Sequence, residues 1–209
     1  MKKLNFILMM ALACVFFVGC AAPHAVVDSS WSQKPTKVKV VFTEPLVANP
    51  DDLADDLPEN VNNFSDWYKT ELEKNLGTQT NGVLYSVEKI SQDKVSTVAA
   101  PLNDVNIRIP KITEMENEAD VYLVMNDVWI GRTVKPGTCT AGMVSYTCEY
   151  PFFSGKGDYA FFDAKSGQRL GYGVIAADVS YTFAVTKDDW ECVVEKTVKI
   201  MLDETPLKK

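Results

Sequence analysis

Val121-Tyr122-Leu123-Val124-Met125 is a run of apolar residues with no polar break. A strand with one wet face alternates, so an unbroken run marks a strand covered on both faces, placed centrally in its sheet. Whatever surrounds it must supply a layer above and a layer below. Lys37-Val38-Lys39-Val40-Val41-Phe42 alternates as a half-buried strand, with Pro45 and Pro50 placed to stop it. Asn62 or Asn63 can cap a helix in which Phe64, Trp67, Tyr68, Leu72 and Leu76 fall on one face, and Gly77 is placed to end it. Val83 to Ile90 reads as a second strand, residues 91 to 110 carry no clear pattern, and Lys111 to Ala119 fits a short helix.

Beyond Asn126 the pattern is antiparallel, with strands expected near Asp127 to Val134, Thr147 to Phe153, Asp158 to Phe162 and Gln168 to Phe183. Asp163-Ala164-Lys165-Ser166-Gly167 supplies the turn between the last two. The final helix has Thr186 as N-cap and Asp189 as its reciprocal acid, Trp190, Val193, Val194, Val198, Met201 and Leu202 as its apolar face, and Pro206 beyond its end. The expected fold is α/β (α+β): one domain over residues 37–205, a mixed sheet with an antiparallel C-terminal hairpin region and helices packed on the sheet. No internal repeat or low-complexity segment interrupts it.

The first residues obey a different logic. Lys2 and Lys3 precede an almost unbroken apolar stretch from Leu4 to Val18, which ends at Gly19-Cys20. The stretch is short of the ~20 residues a helix needs to cross a bilayer, so residues 1–19 read as a cleaved secretory signal peptide. Phe17-Val18-Gly19-Cys20 resembles the lipobox of bacterial lipoproteins, with Phe where Leu is usual. The resemblance implies that Cys20 is lipidated with acyl chains such as palmitate and becomes the mature N-terminus. Two or more such chains hold a protein stably on a membrane. Ala21 stands where an Asp would imply retention at the inner membrane, which favours the outer membrane with the domain facing the periplasm. Residues 20–36 then read as the lipidated cysteine and a tether.

Losing Lys2 and Lys3 takes the formal charge from −7 to −9. A net acidic domain without a basic stripe lacks the driving force for nucleic-acid binding. Of the remaining cysteines, Cys139 and Cys148 flank Thr-Ala-Gly-Met-Val-Ser-Tyr-Thr, a stretch able to turn back on itself, and a disulfide between them suits an oxidising compartment. Zinc is the rival and lacks ligands, since the one histidine, His24, lies in the tether. Cys192, beside Val193 and Val194, reads as a reduced, buried small hydrophobe. The acidic loop Asp51-Asp52-Leu53-Ala54-Asp55-Asp56 lacks the Gly turn and bidentate Glu of a calcium loop and reads as solvated surface.

The order of elements, with Glu118-Ala119-Asp120 leading into the buried strand and an Asp-x-x-Ser-Gly turn at Asp163 to Gly167, resembles a group of small periplasmic lipoprotein domains. That group includes the curli-secretion lipoprotein, the outer-membrane activators of penicillin-binding proteins and the N-terminal domain of TolB. The resemblance covers about residues 37 to 205, concerns layout, and implies partner binding or envelope assembly; fold by itself does not fix function.

Chemistry is sparse. There is no Gly-x-Ser-x-Gly elbow and no histidine in the domain with which to build a nucleophile pair. Ser154-Gly155-Lys156-Gly157 imitates the end of a phosphate loop, yet Tyr150 stands where its first Gly belongs and Gly157 where a Ser or Thr belongs. The expectation is therefore a protein that is not an enzyme, needs no cofactor and holds no metal. It would be an envelope-anchored binding or assembly module that meets the membrane through its lipid and an envelope protein as partner. The contact candidates are Tyr146, Tyr150, Phe152 and Phe153, aromatics on the cysteine-bearing insertion Thr133 to Phe153. Two other readings stand beside it: a lipid or small-ligand carrier with an apolar cavity between helices and sheet, and a passive structural lipoprotein.

Overall fold

The computed structural model describes residues 24–48, 63–115 and 118–209. The signal peptide, Cys20, Asn62 and the acidic loop Asp51 to Asp56 lie outside that set. Nine strands run in chain order as β1 (Ala25–Val27), β2 (Lys37–Phe42), β3 (Leu46–Val47), β4 (Leu84–Lys89), β5 (Val95–Leu102), β6 (Val105–Ile112), β7 (Val121–Ala141), β8 (Val144–Asp163) and β9 (Arg169–Ser180). Two α-helices, α1 (Phe64–Gln79) and α2 (Lys187–Leu202), and a short 3-10 turn at Gln92–Lys94 complete the described elements.

The main sheet has the order β1-β9-β8-β7-β2-β4, with β3 pairing β7 beyond the end of β2. It is mixed: β2 is parallel to β4 and β7, whereas β7, β8, β9 and β1 pair antiparallel in turn. Val121 to Met125 lies inside it, as the apolar run requires, and the two covering layers differ in kind. One face of the sheet, with Val38, Val40, Phe42, Leu123, Met125, Tyr159 and Phe161, packs under the helices against Tyr68, Leu72, Leu76, Trp190, Val193, Val194 and Val198. On the other face Val41, Tyr122, Val124, Ala160, Phe162 and Tyr172 are covered by Val95, Ala100, Ile109 and Ile112 of the separate β5–β6 hairpin. Neighbouring residues of a strand point to opposite faces, so each face takes its own share of the run and neither leaves a polar position.

Local chemistry fixes the element ends. Asn63 caps α1 by accepting from the Ser65 amide at 3.0 Å. Thr186 and Asp189 form the reciprocal capping box of α2. The carboxylate of Asp120 accepts from the Thr36 hydroxyl at 2.7 Å and from the amides of Thr36 and Lys37 at 2.9 and 3.0 Å, binding the entry of β2 to that of β7. Asp163 accepts from the Lys165 and Ser166 amides, and Gly167 (φ +68°) closes the turn between β8 and β9 by donating to the Asp163 carbonyl.

Several sequence expectations are corrected. Gly77 does not end α1, which continues to Gln79; the Thr80 hydroxyl closes the last turn by donating to the Leu76 carbonyl at 2.8 Å. No helix occupies the described part of Lys111 to Ala119: Lys111 and Ile112 finish β6, and Ile112 is held opposite Val95. The strand breaks expected after Met125 and around residues 153 to 158 are absent, and the gap expected between Val134 and Thr147 shrinks to the two-residue turn Gly142-Met143. A bulge between Asn126 and Trp129, with Asp127 at φ +50°, lets β7 run on, so β7 and β8 are single long strands. Ser154-Gly155-Lys156-Gly157 is part of β8, and Gly155 is needed there because a Cβ would lie 2.8 Å from Cγ1 of Val193 on α2.

The tether is also shorter than expected. Val26 pairs with Tyr172 across β1 and β9, and the buried Trp31 packs on Phe161 with ring centroids 5.1 Å apart, so the fold includes residues from about 24 onward. An aromatic and three β-strand residues repay docking even in a segment rich in Pro and Ser.

Candidate functional site

The sheet gives β7 and β8 neighbours along only part of their length. β2 reaches Met125, β3 reaches Ile130, and β9 begins its pairing at Phe152. From Val134–Pro151 out to Ala141–Val144 the two strands continue together with no third strand among the described residues. Eight residue pairs at about 3.3 Å each make a ribbon of roughly 26 Å. An isolated two-stranded ribbon is marginal in water, so this one needs reinforcement.

Reinforcement comes from the disulfide between Cys139 and Cys148, whose Cα atoms are 5.7 Å apart. In the register Cys139 faces Tyr146 and Cys148 faces Gly137, so the bond crosses the ribbon diagonally. Tyr150 lies flat over Gly137, where a Cβ would come within 2.3 Å of its ring. Its hydroxyl donates to the Thr138 carbonyl at 3.3 Å and lies 3.4 Å from Sγ of Cys139. At the base, Lys135 sits over the Phe152 ring at 5.2 Å and is ion-paired with Asp178, which also accepts from Ser154 at 2.6 Å. Burial works to raise the Asp178 carboxyl, but Lys135 and Ser154 outweigh it and hold it below its ordinary value.

Strand parity sorts the four aromatic candidates. Tyr146, Tyr150 and Phe152 alternate along one face of the ribbon with Cys148. Tyr146 and Tyr150 are 52% and 44% exposed, and Phe152 is half-buried. Phe153 points to the other face, fully buried with its ring 4.5 Å from that of Trp190, so it is a core residue rather than a surface contact. Cys192 is a free thiol, half-buried rather than buried, packed against the core under the helices.

The tip departs from the rest of the surface. From Cys139 to Cys148 there is no charged side chain, although 23% of the chain is charged. Met143 is fully exposed and Val144 is 65% exposed. Sequence reasoning named the aromatics behind this tip and passed over Met143 and Val144; the missing charge over ten residues was the signal. Such a surface can bind but offers no acid, base or paired nucleophile. The space proposed for a carrier's ligand, between helices and sheet, is filled by the fully buried Phe42, Tyr68, Phe153 and Trp190. A cleft of about 320 Å³ lies instead on the opposite face between β2, β4 and the end of β6, where Lys39 and Glu88 pair at 3.1 Å beside Tyr122.

No protein-family profile matches this sequence, and no curated protein matches it. Solved structures similar in layout include a neuraminyllactose-binding hemagglutinin homolog from Helicobacter pylori, 14% identical with a TM-score of 0.42, covering 86% of this chain and 90% of that one. A PelC dodecamer from Paraburkholderia phytofirmans is 11% identical with a TM-score of 0.37, covering 88% and 98%. A minor lipoprotein from Acinetobacter baumannii is 10% identical with a TM-score of 0.32, covering 79% and 88%. These are loose likenesses to bacterial proteins, and none carries an argument about what this chain binds.

Proposed function

We propose that the protein is a bacterial envelope lipoprotein, held by a lipidated Cys20 on the outer membrane and facing the periplasm, that acts as a non-catalytic binding or assembly module. The narrower kinship with curli-secretion, penicillin-binding-protein-activator and TolB-type domains belongs to the same proposal. The observation that carries it is the stapled ribbon. It extends about 26 Å past the sheet, is cross-linked toward its tip, and presents Tyr150 and Phe152 on one fixed face. Rigid aromatics held at little entropic cost are what partner anchors require.

A photo-crosslinking residue in place of Tyr150, in cells whose envelope is intact, is expected to yield a reproducible protein adduct. The same substitution at Lys165, in the turn at the far end of the sheet, is expected to yield none. Equal patterns from the two positions would dismiss the ribbon as the contact element.

A further inference from the structure

We infer that the outer edge of β4 is a self-association site: a second copy of this chain adds its own β4 there, antiparallel and with Val87 opposite Val87, so that one sheet runs through the dimer. The inference stands apart from the lipid at Cys20 and from the ribbon, and concerns the edge of the sheet farthest from β1.

The edge is open and unguarded. The amides of Leu84 and Ile90 donate inward to the Thr36 and Phe42 carbonyls at 2.8 Å, so the even-numbered residues of β4 serve its pairing with β2. The amides and carbonyls of Tyr85, Val87 and Lys89 therefore point away from the sheet, and no strand among the described residues meets them. Natural proteins blunt such edges with proline, shortness, charge or a covering element. Every other free edge among the described residues shows one of these. β5 and β6 carry Pro101 and Pro110, and the ribbon strands carry Pro136 and Pro151. β1 and β3 are three and two residues long, and past β1 the Asp178 carbonyl of β9 is taken by Lys196 of α2 at 2.6 Å. β4 has six residues with neither proline nor bulge. Its two charges are drawn back from the edge, Glu88 to Lys39 of β2 at 3.1 Å and Lys89 to Glu44 at 2.6 Å.

Such an edge accepts an extended strand, and the residues of β4 select their own copy. Outward-pointing residues must oppose outward-pointing residues, so two copies pair antiparallel only with odd numbers against odd. With Val87 at the centre, Tyr85 faces Lys89 of the second copy, Ser86 faces its Glu88, and Leu84 faces its Ile90. Leu84 is 68% exposed, an apolar side chain left uncovered by its own chain, whereas Ile90 packs on the core beneath the β5–β6 hairpin. Both stand on the hairpin face, opposite in parity to Val87, which is buried under the helices. The two-fold axis repeats the Leu84–Ile90 contact on either side of the Val87 pair. Sliding the second copy by two residues opposes Glu88 to Glu88 in one direction and Glu88 to Leu84 in the other. Like charges directly opposed destabilise a ladder, and both slides lose the contact of Leu84 with Ile90.

The test uses the full-length protein. Ser86 and Glu88 are exposed, and in the centred register they form a pair without ladder bonds, whose Cα atoms stand about 4.5 Å apart and within disulfide reach. The double variant Ser86→Cys/Glu88→Cys, oxidised briefly in cells, is expected to run as a covalent dimer on a non-reducing gel, with residue 86 of one copy linked to residue 88 of the other in peptide mass spectrometry. Ser86→Cys alone and Glu88→Cys alone are expected to stay monomeric, as is the wild type, which carries the same Cys192. Lys89→Pro removes an outward amide and no inward one, so the sheet keeps its own bonds. Sedimentation of the protein purified in a non-ionic detergent is expected to give twice the chain mass for the wild type and the chain mass for Lys89→Pro, with the circular dichroism unchanged. A monomeric wild type overturns the inference, and so does an assembly larger than a dimer. A crosslink stronger from either single cysteine than from the pair overturns the self-complementary register. A folded Lys89→Pro that remains a dimer places the contact elsewhere and overturns it as well.

Discussion

Replacing Cys139 and Cys148 together by alanine separates the stability of the ribbon from that of the domain. The bond closes a loop with a sequence separation of 9. Chain-entropy arithmetic assigns such a loop about 2.7 kcal/mol. How that quantity appears depends on what the ribbon contributes to the core. Its outer pairs touch no third strand, and its side chains from Thr138 to Thr147 are almost all exposed. A free two-stranded ribbon is worth on the order of 1 kcal/mol or less. Once the staple is gone the ribbon opens locally and the sheet does not. Global stability should then fall by under about 1 kcal/mol, a melting shift of less than about 4 °C for a domain of this size. Local opening of the ribbon should rise by up to about a hundred-fold, the same 2.7 kcal/mol expressed as an equilibrium constant. Native-state hydrogen exchange read by mass spectrometry on peptides covering 133 to 152, alongside thermal denaturation by circular dichroism, measures both quantities. A melting temperature lower by roughly 5 to 11 °C, with ribbon exchange no faster than that of β8 at Tyr159, would show the ribbon to be cooperative with the core and the reasoning wrong.

Three further outcomes follow from named contacts. Trp31→Ala should cost roughly 3 kcal/mol in a denaturant titration, because a buried ring on Phe161 is removed; a loss near zero would restore a free tether up to residue 36. Trp190→Ala should cost roughly 3 to 5 kcal/mol by the same measurement, since the ring is fully buried and touches Phe64, Trp67 and Phe153. Burial, with the nearby Asp127 charge, pushes the carboxyl of Asp158 up to about 6 from an ordinary 3.8, against the pull of Arg108. The folded state therefore prefers the protonated acid, and that contribution is complete below about pH 3.8 and lost as pH rises through 6. Asp158→Asn should accordingly gain on the wild type between pH 4 and pH 7, by about 1 kcal/mol once the half-exposed position is discounted for screening; an unchanged difference across that window would refute the assignment.

What the sequence made legible were features with local causes. Asn63, the Thr186–Asp189 pair and the Asp163 to Gly167 turn act within a few residues, and Val121 to Met125 declares its burial by having no polar gap. The β5–β6 hairpin was missed because it covers one face lightly: of Val95 to Leu102 only Val95, Ala100 and Leu102 are buried, so no period of two survives. Its one local mark is Asn103-Asp104 between the strands, with Asn103 at φ +55°, a two-residue turn composition that went unread. The docking of residues 25 to 31 depends wholly on tertiary partners, Tyr172 and Phe161, that no local pattern announces. The disulfide pair was legible from the spacing of Cys139 and Cys148 and from the expected export. The error at Phe153 was one of parity, since adjacent residues of a strand cannot share a face and Phe152 and Phe153 were taken together.

Parity also decides how the ribbon makes contact. Its two outer edges carry unpaired backbone groups that could template strand addition by a partner. Both edges are interrupted near the base, β7 by Pro136 opposite Glu149 and β8 by Pro151 opposite Val134. Proline has no amide to donate, so a partner strand running along either edge would lose its ladder within a few residues of the sheet. Lys135 and Arg132 add charge on the same stretch of β7. These are the devices that keep exposed edges from pairing at random. What remains open to a partner is the aromatic face between the prolines and the disulfide, with Tyr150 fixed flat across Gly137, and the uncharged tip beyond it. Pro136→Thr and Pro151→Thr together should therefore leave the Tyr150 crosslink in place while raising the tendency of the purified protein to self-associate, read by sedimentation. Loss of the crosslink with no change in sedimentation would mean that the prolines shape the contact itself.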